Sequence, residues 1–158
     1  MMNRKRTISA VLAAITAAGL GAGLAQAMPA GAATASAPRY VVLNCKDKPV
    51  TKPAGWTPFC ADYGLVLANM HWTSWTSHLA SGYGTVYEND NYPNHATGKV
   101  YKVPALVTLW GSASVKGHPG DETYVKMTVI FPRKRPAVYV KVNGKWTATH
   151  PQTQTLSF

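Results

Sequence analysis

The chain has 158 residues, 46% of them hydrophobic and 14% charged, with 16 Lys and Arg against 6 Asp and Glu and a formal net charge of +10. That length accommodates one buried core rather than two, and the shortage of carboxylates confines any acid–base chemistry to Asp47, Asp62, Glu88, Asp90, Asp121 and Glu122. The basic balance favours polyanionic partners without saying which.

Residues 1–27 have the composition of a secretory signal peptide. Arg4, Lys5 and Arg6 make a positive n-region, residues 8–24 an apolar stretch broken by Gly19, Gly21 and Gly23, and Ala25-Gln26-Ala27 an A-x-A cleavage pattern. The run lies near the lower limit of ~17 to 25 apolar residues for a membrane span and is interrupted by glycine. The basic triplet has no adjacent arginine pair, so the general secretory route is expected, and no cysteine follows to accept a lipid. Cleavage is placed after Ala27, within the window 27–37. Residues 28–38 form a small, Ala/Pro/Gly-rich spacer with nothing large to bury, and residues 39–158 form a single domain. Without Arg4, Lys5 and Arg6 the chain keeps 13 basic residues against 6 acidic ones, a net charge of +7.

Cys45 and Cys60 open the domain, and outside the cell they are expected to pair. Closing a loop of this length is worth ~3 kcal/mol in the chain-entropy description.

Turn residues then punctuate the chain at short intervals, and no amphipathic helical pattern of ten or more residues survives between them. Strands are predicted over 40–43, 65–72, 82–88, 100–110, 124–131, 137–142 and 145–149. In 65–72 the alternation puts Val66, Ala68, Met70 and Trp72 on a buried face. In 124–131 it buries Val125, Met127, Val129 and Phe131 and turns Tyr124 outward. In 137–142 it buries Val138, Val140 and Val142 and turns Tyr139 and Lys141 away. Half-buried antiparallel strands have this pattern. Pro104 cannot donate to a ladder, and a bulge is expected there, with an edge position or two shorter strands meeting there as the alternatives. Asn143-Gly144 is a type I′ hairpin signal joining the 137–142 and 145–149 strands. The fold class is therefore all-β, a single antiparallel β-sandwich or small barrel of about seven to eight strands.

Motifs for chemistry are absent. His71, His78, His95, His118 and His150 lack metal-binding spacing, no serine lies in a G-x-S-x-G elbow, and no glycine-rich loop precedes a helix. Neither a cofactor nor a metal is expected, and no catalytic residue is assigned. Glu88-Asn89-Asp90-Asn91 offers oxygens of the kind calcium prefers, yet lacks the regular loop. His118 with Asp121 and Glu122 could share a loop. Two features suit binding. Arg133, Lys134 and Arg135, framed by Pro132 and Pro136, form a stiff basic loop able to hold phosphate or carboxylate. Trp75, in His71-Trp72-Thr73-Ser74-Trp75, is the aromatic with the better prospect of exposure, Trp72 falling on the apolar side of its strand.

Residues 72–109 resemble a group of small secreted actinobacterial proteins of uncharacterised function. The pattern is W-x-S-W, A-x-G-x-G, then N-x-C-x-P-x-C-A-x-G and a valine-rich strand, matched here by Trp72-Thr73-Ser74-Trp75, by Ala80-Ser81-Gly82-Tyr83-Gly84, by residues 89–98 and by 103–109. Asn91 and His95 stand where that group often has cysteines, so the turn around Pro93 must be held by hydrogen bonds. The resemblance implies secretion and a β-rich fold, and no activity.

The leading expectation is a secreted, non-enzymatic β domain associating with anionic cell-envelope polymer through Arg133, Lys134 and Arg135. One alternative is an extracellular hydrolase or carbohydrate-active protein using Glu88, Asp90, Asp121 or Glu122 beside Trp75. Another is an inhibitor or partner-binding protein that presents a rigid loop to a secreted enzyme. No specific nucleic acid and no membrane span in the mature form are expected.

Overall fold

The structure is a computed structural model, and residues 36–158 are described. The expected signal peptide and most of the spacer lie outside the described residues. Nine strands follow in order: β1 (Arg39–Leu43), β2 (Pro49–Val50), β3 (Leu65–Trp75), β4 (Leu79–Asn89), β5 (Val100–Ser114), β6 (Asp121–Ile130), β7 (Val138–Val142), β8 (Lys145–Thr149) and β9 (Thr153–Ser157). There is no helix among the described residues. The all-β expectation holds, as a sandwich-like arrangement rather than a closed barrel.

One sheet holds seven strands in the order β2-β1-β6-β5-β4-β3, with β9 also paired to β6, and β7 and β8 form a separate two-stranded sheet. The main sheet is mixed. β1 runs parallel to the start of β6, with Arg39 opposite Asp121, while β9 runs antiparallel along its second half, with Lys126 opposite Ser157. Both therefore share one edge of β6, in tandem. A parallel pair needs a long connection, and here residues 44–120, with β2 to β5, lie between its two strands.

The core lies on one face of this sheet. Leu67, Val86, Val107, Leu109, Met127 and Val129 are inaccessible or nearly so, each contributing about 1.5–3 kcal/mol through apolar burial. Three tryptophans fasten the N-terminal segment across it. The indole N–H of Trp75 donates to Tyr40 O, that of Trp56 to Leu43 O and that of Trp72 to Pro53 O, at 2.7, 2.8 and 2.8 Å. A buried indole must find such a partner. Residues 54–56 also run along the free edge of β3, through Trp56 N to Leu67 O, Leu67 N to Trp56 O and Met70 N to Ala54 O. The expected Cys45–Cys60 disulfide forms and closes this segment into a loop.

Local departures from simple alternation change several expected faces. In β3, Leu65, Leu67 and Met70 are buried and Val66 and Ala68 only half-buried. The phase changes because the β3–β4 register shifts between Ala68 and His71, where Asn69 has φ of 52°, as a bulge requires. Gly82 and Gly84 on β4 admit that bulge. A Cβ at Gly84 would lie 2.6 Å from Met70 Sδ and 2.9 Å from the Ala68 and Asn69 carbonyl oxygens. In β6, Tyr124 is buried rather than exposed, its hydroxyl donating to Thr76 O, and burial raises its phenol pKa despite that bond.

No bulge occurs at Pro104. It pairs in unbroken register with Thr85, and β6 joins β5 only from Leu106 onward. Pro104 therefore sits where β5 has no β6 neighbour, which realises the edge alternative.

The β7–β8 hairpin forms as expected, with Asn143 and Gly144 at φ of 50° and 78°. Its faces are reversed relative to the sequence reading. Val140 and Val142 are exposed, at 44% and 51%, whereas Tyr139 and Trp146 pack on Tyr92 at ring-centroid distances of 4.6 and 5.9 Å. The alternation is real, but aromatic contact outweighs valine burial in a hairpin that pairs with no strand of the main sheet.

Candidate functional site

The basic loop is divided by the fold. Pro132, Arg133 and Lys134 are exposed, but Arg135 is 1% accessible. Its Nε donates to Glu88 Oε2 at 2.8 Å and its Nη2 to Glu88 Oε1 and, at 2.9 Å, to Gln154 Oε1. Its guanidinium lies 4.3 Å above the Phe131 ring centroid. Arg135 thus ties β4, the 131–136 loop and β9 together, and it is removed from the set of side chains available to an outside anion.

Trp75 is half-buried. It meets Trp72 and Tyr124 edge-on at 4.9 and 5.4 Å, and its remaining surface lines an open pocket of about 360 Å³ with Pro38, Arg39, Tyr40, Thr51 and Thr76. The pocket brings together Trp75 and Arg39, but neither Arg133 nor Lys134.

The carboxylates are largely committed to the fold. Glu88 holds Arg135. Asp121 accepts from Arg39 Nε and Nη2 at 2.8 and 2.6 Å. Those bonds set its pKa below the usual carboxylate range, against the opposing effect of burial, with the charges of Arg39 and His118 adding to the lowering. The same pairing raises Arg39. Asp90 Oδ1 accepts from the backbone N–H of Tyr92 and Lys99, Asp62 Oδ1 from Gly64 N, and Glu122 from Ser114 Oγ. The oxygen-rich 89–91 segment is likewise spent on its own turn, with Asn89 Oδ1 accepting from Asn91 N. Among the described residues no group of three or more His, Cys, Asp or Glu converges as a metal site would require.

Cations are not balanced in this way. Among the described residues only Arg39 and Arg135 form ion pairs with carboxylates. Residues 123–158 carry Lys126, Arg133, Lys134, Arg135, Lys141 and Lys145 and no Asp or Glu. Arg133, Lys134, Lys141 and Lys145 are exposed and Lys126 half-exposed. Lys141 and Lys126 lie over Trp146 and Trp110, at 5.0 and 4.6 Å from the ring centroids, so both ammonium groups are presented beside an aromatic ring. Sequence reading found the tripeptide because its charges are contiguous. It missed Lys126, Lys141 and Lys145, whose signal was the unbroken absence of acids after Glu122.

Compared with known proteins, the chain matches no family model, no curated protein and no solved structure.

Proposed function

We propose that this is a secreted, non-enzymatic β domain that associates with anionic polymer of the cell envelope. The observation that carries the reading is the charge segregation: five of the six cations after Glu122 lack a carboxylate partner, while the acidic side chains of Glu88 and Asp121 are consumed by Arg135 and Arg39. Unpaired surface cations of one sign attract a polyanion by steering and by short-range contact, and the attraction is screened by salt. Arg133 and Lys134 on the loop, with Lys141 and Lys145 near the hairpin tip, replace the Arg133–Arg135 tripeptide as the contacting set.

The test is capture of the purified protein on isolated cell wall, with and without its anionic polymer, from about 0.01 M to about 1 M salt. Capture that requires the polymer, falls with salt, and is lost when Arg133, Lys134, Lys141 and Lys145 are all changed to Ser supports the reading. Capture that is absent at low salt, or unchanged across the series, overturns it.

A further inference from the structure

The outward face of the main sheet is not covered by any described element, and the strand register orders it into rows. Leu79, Trp110, Lys126 and Ser157 are successive cross-strand partners on β4, β5, β6 and β9. Two residues along, the partners are Ser81, Thr108, Thr128 and Thr155. Two further along, they are Tyr83, Leu106, Ile130 and Thr153. Neighbours in a row stand about 4.8 Å apart and rows about 7 Å apart. A four-strand line of hydroxyls is thus flanked on each side by apolar and aromatic side chains, of which Leu79, Tyr83, Leu106, Trp110 and Ile130 are 37% to 51% accessible.

Two of the four hydroxyls in the row, those of Thr128 and Thr155, are ordered before anything binds. Trp110 Nε1 donates to Thr128 Oγ1 at 3.1 Å, and Thr128 Oγ1 shares a hydrogen bond with Thr155 Oγ1 at 3.2 Å. On the far strand, His71 stacks on Tyr83 at 5.3 Å and holds its ring. Pre-positioned hydroxyls beside fixed rings suit a ligand that is itself amphipathic on the scale of one ring, with C–H faces to lie on aromatics and hydroxyls at the rim. A pyranose chain has that chemistry.

Charge selects the kind of chain. The three rows contain Lys126 and no carboxylate, and Arg133 and Lys134 follow Ile130 by three and four residues, so the basic loop leaves the sheet at the Tyr83–Ile130 end of the face. A second copy docked face to face would bring lysine to lysine on two chains that each carry excess positive charge, which is unfavourable.

We propose that this face binds an anionic polysaccharide, with Trp110, Tyr83 and the hydroxyl row against the sugar rings and Lys126, Arg133 and Lys134 against their acidic groups. The inference rests on the polyanion reading above and names the sugar-bearing class of polyanion and its surface.

The test measures Kd of the whole protein, by calorimetry at low salt, for three probes: polygalacturonate, inorganic polyphosphate and a neutral β-glucan. Tyr83→Ala and the near-isosteric surface change Thr155→Val accompany Trp110→Ala, each checked for an unchanged melting temperature, so that the outcome does not depend on one variant's folding. Binding of polygalacturonate that weakens roughly tenfold or more in Trp110→Ala and Tyr83→Ala, with polyphosphate binding within about twofold of the parent, supports the proposal. Polygalacturonate binding unaltered by these changes, equal affinity for the neutral glucan, or a concentration-dependent dimer lost in Trp110→Ala would overturn it while leaving general polyanion binding intact. Failure to bind either polyanion would overturn the earlier reading and this one together.

Discussion

The guanidinium of Arg135 is buried against the carboxylate of Glu88, 47 residues earlier in the chain, and its Cζ lies 4.3 Å from the Phe131 ring centroid. A residue that sequence places in an exposed basic loop is therefore the tie between the end of β4 and the segment entering the hairpin. Its immediate neighbours remain in water because the Pro132–Lys134 arc bows outward while the chain returns inward at Arg135.

Arg135→Ala is expected to destabilise the protein by about 3–5 kcal/mol, since it leaves Glu88 buried and unpaired. Glu88→Gln should act in the same direction. The double change Arg135→Ala with Glu88→Gln is expected to cost less than the sum of the single changes, because the desolvated charges leave together. Urea unfolding of the four proteins forms the cycle. By contrast, Arg133→Ser should shift stability by no more than about 0.5 kcal/mol. Additive effects across the cycle would show that the pair is not energetically coupled.

Gly84 is expected to resist substitution for a reason unrelated to turns. A methyl group there must displace Met70 Sδ and two carbonyl oxygens of the β3 bulge. Of these the thioether can move and the backbone cannot, so Gly84→Ala should cost about 1–3 kcal/mol. Gly144→Ala offers a comparison, since nothing lies near its absent Cβ. There the loss comes only from its φ of 78°. Denaturation midpoints, together with hydrogen exchange at Met70 N, distinguish a local disturbance of β3 from a distant one.

Replacing both Cys45 and Cys60 by Ser should lower stability by about 3 kcal/mol through the entropy of the freed loop. The effect should be concentrated where the loop lies along β3. The amides of Trp56 and Met70, which donate to Leu67 O and Ala54 O, are expected to exchange faster than those of β5. Uniform loss of protection would instead mean that the bridge stabilises the whole domain evenly.

Much of the architecture was legible in the sequence because it is local. Strand existence follows from alternation and β-branched content, the Asn143-Gly144 turn from its demand for positive φ, and the Cys45–Cys60 bridge from the chain having two cysteines and no C-x-x-C motif. Tandem sharing of β6 by β1 and β9 was not legible, since parallel pairing between Arg39 and Asp121 leaves no periodic mark. Phase changes at Asn69 and the inverted hairpin faces depend on neighbours that alternation cannot supply. Arg135 was misplaced for a similar reason. A charge run looks the same whether or not a distant carboxylate reaches it. The hydroxyl row exists only once four strands are placed in register, so Ser81, Thr108, Thr128 and Thr155 carried no signal as separate residues. The turn around Pro93, expected to be held by hydrogen bonds with Asn91 suited to them, has such bonds beside it: His95 Nδ1 lies 2.8 Å from Asn91 Oδ1, and Nε2 lies 2.8 Å from Asp62 O.

Acid should weaken the β1–β6 junction before it weakens the rest of the sheet. Arg39 and Asp121 are cross-strand partners in the parallel pair, and hydrogen bonding from Arg39 is the largest influence lowering the Asp121 pKa. The folded state therefore takes up this proton at lower pH than the unfolded chain does. Its contribution is complete above the ordinary carboxylate range, near pH ~4, and is lost as pH falls through that range toward the lowered folded value. Asp121→Asn should accordingly melt below the parent protein at neutral pH, with the gap narrowing between about pH 6 and about pH 2. Glu122→Gln, at a residue whose carboxylate accepts from the exposed Ser114 hydroxyl and forms no ion pair among the described residues, should show a smaller gap. Melting curves across that pH series decide the matter. A gap that stays constant would mean that the Asp121 side chain acts through contacts that do not depend on its charge, and that the ion pair with Arg39 contributes nothing of its own.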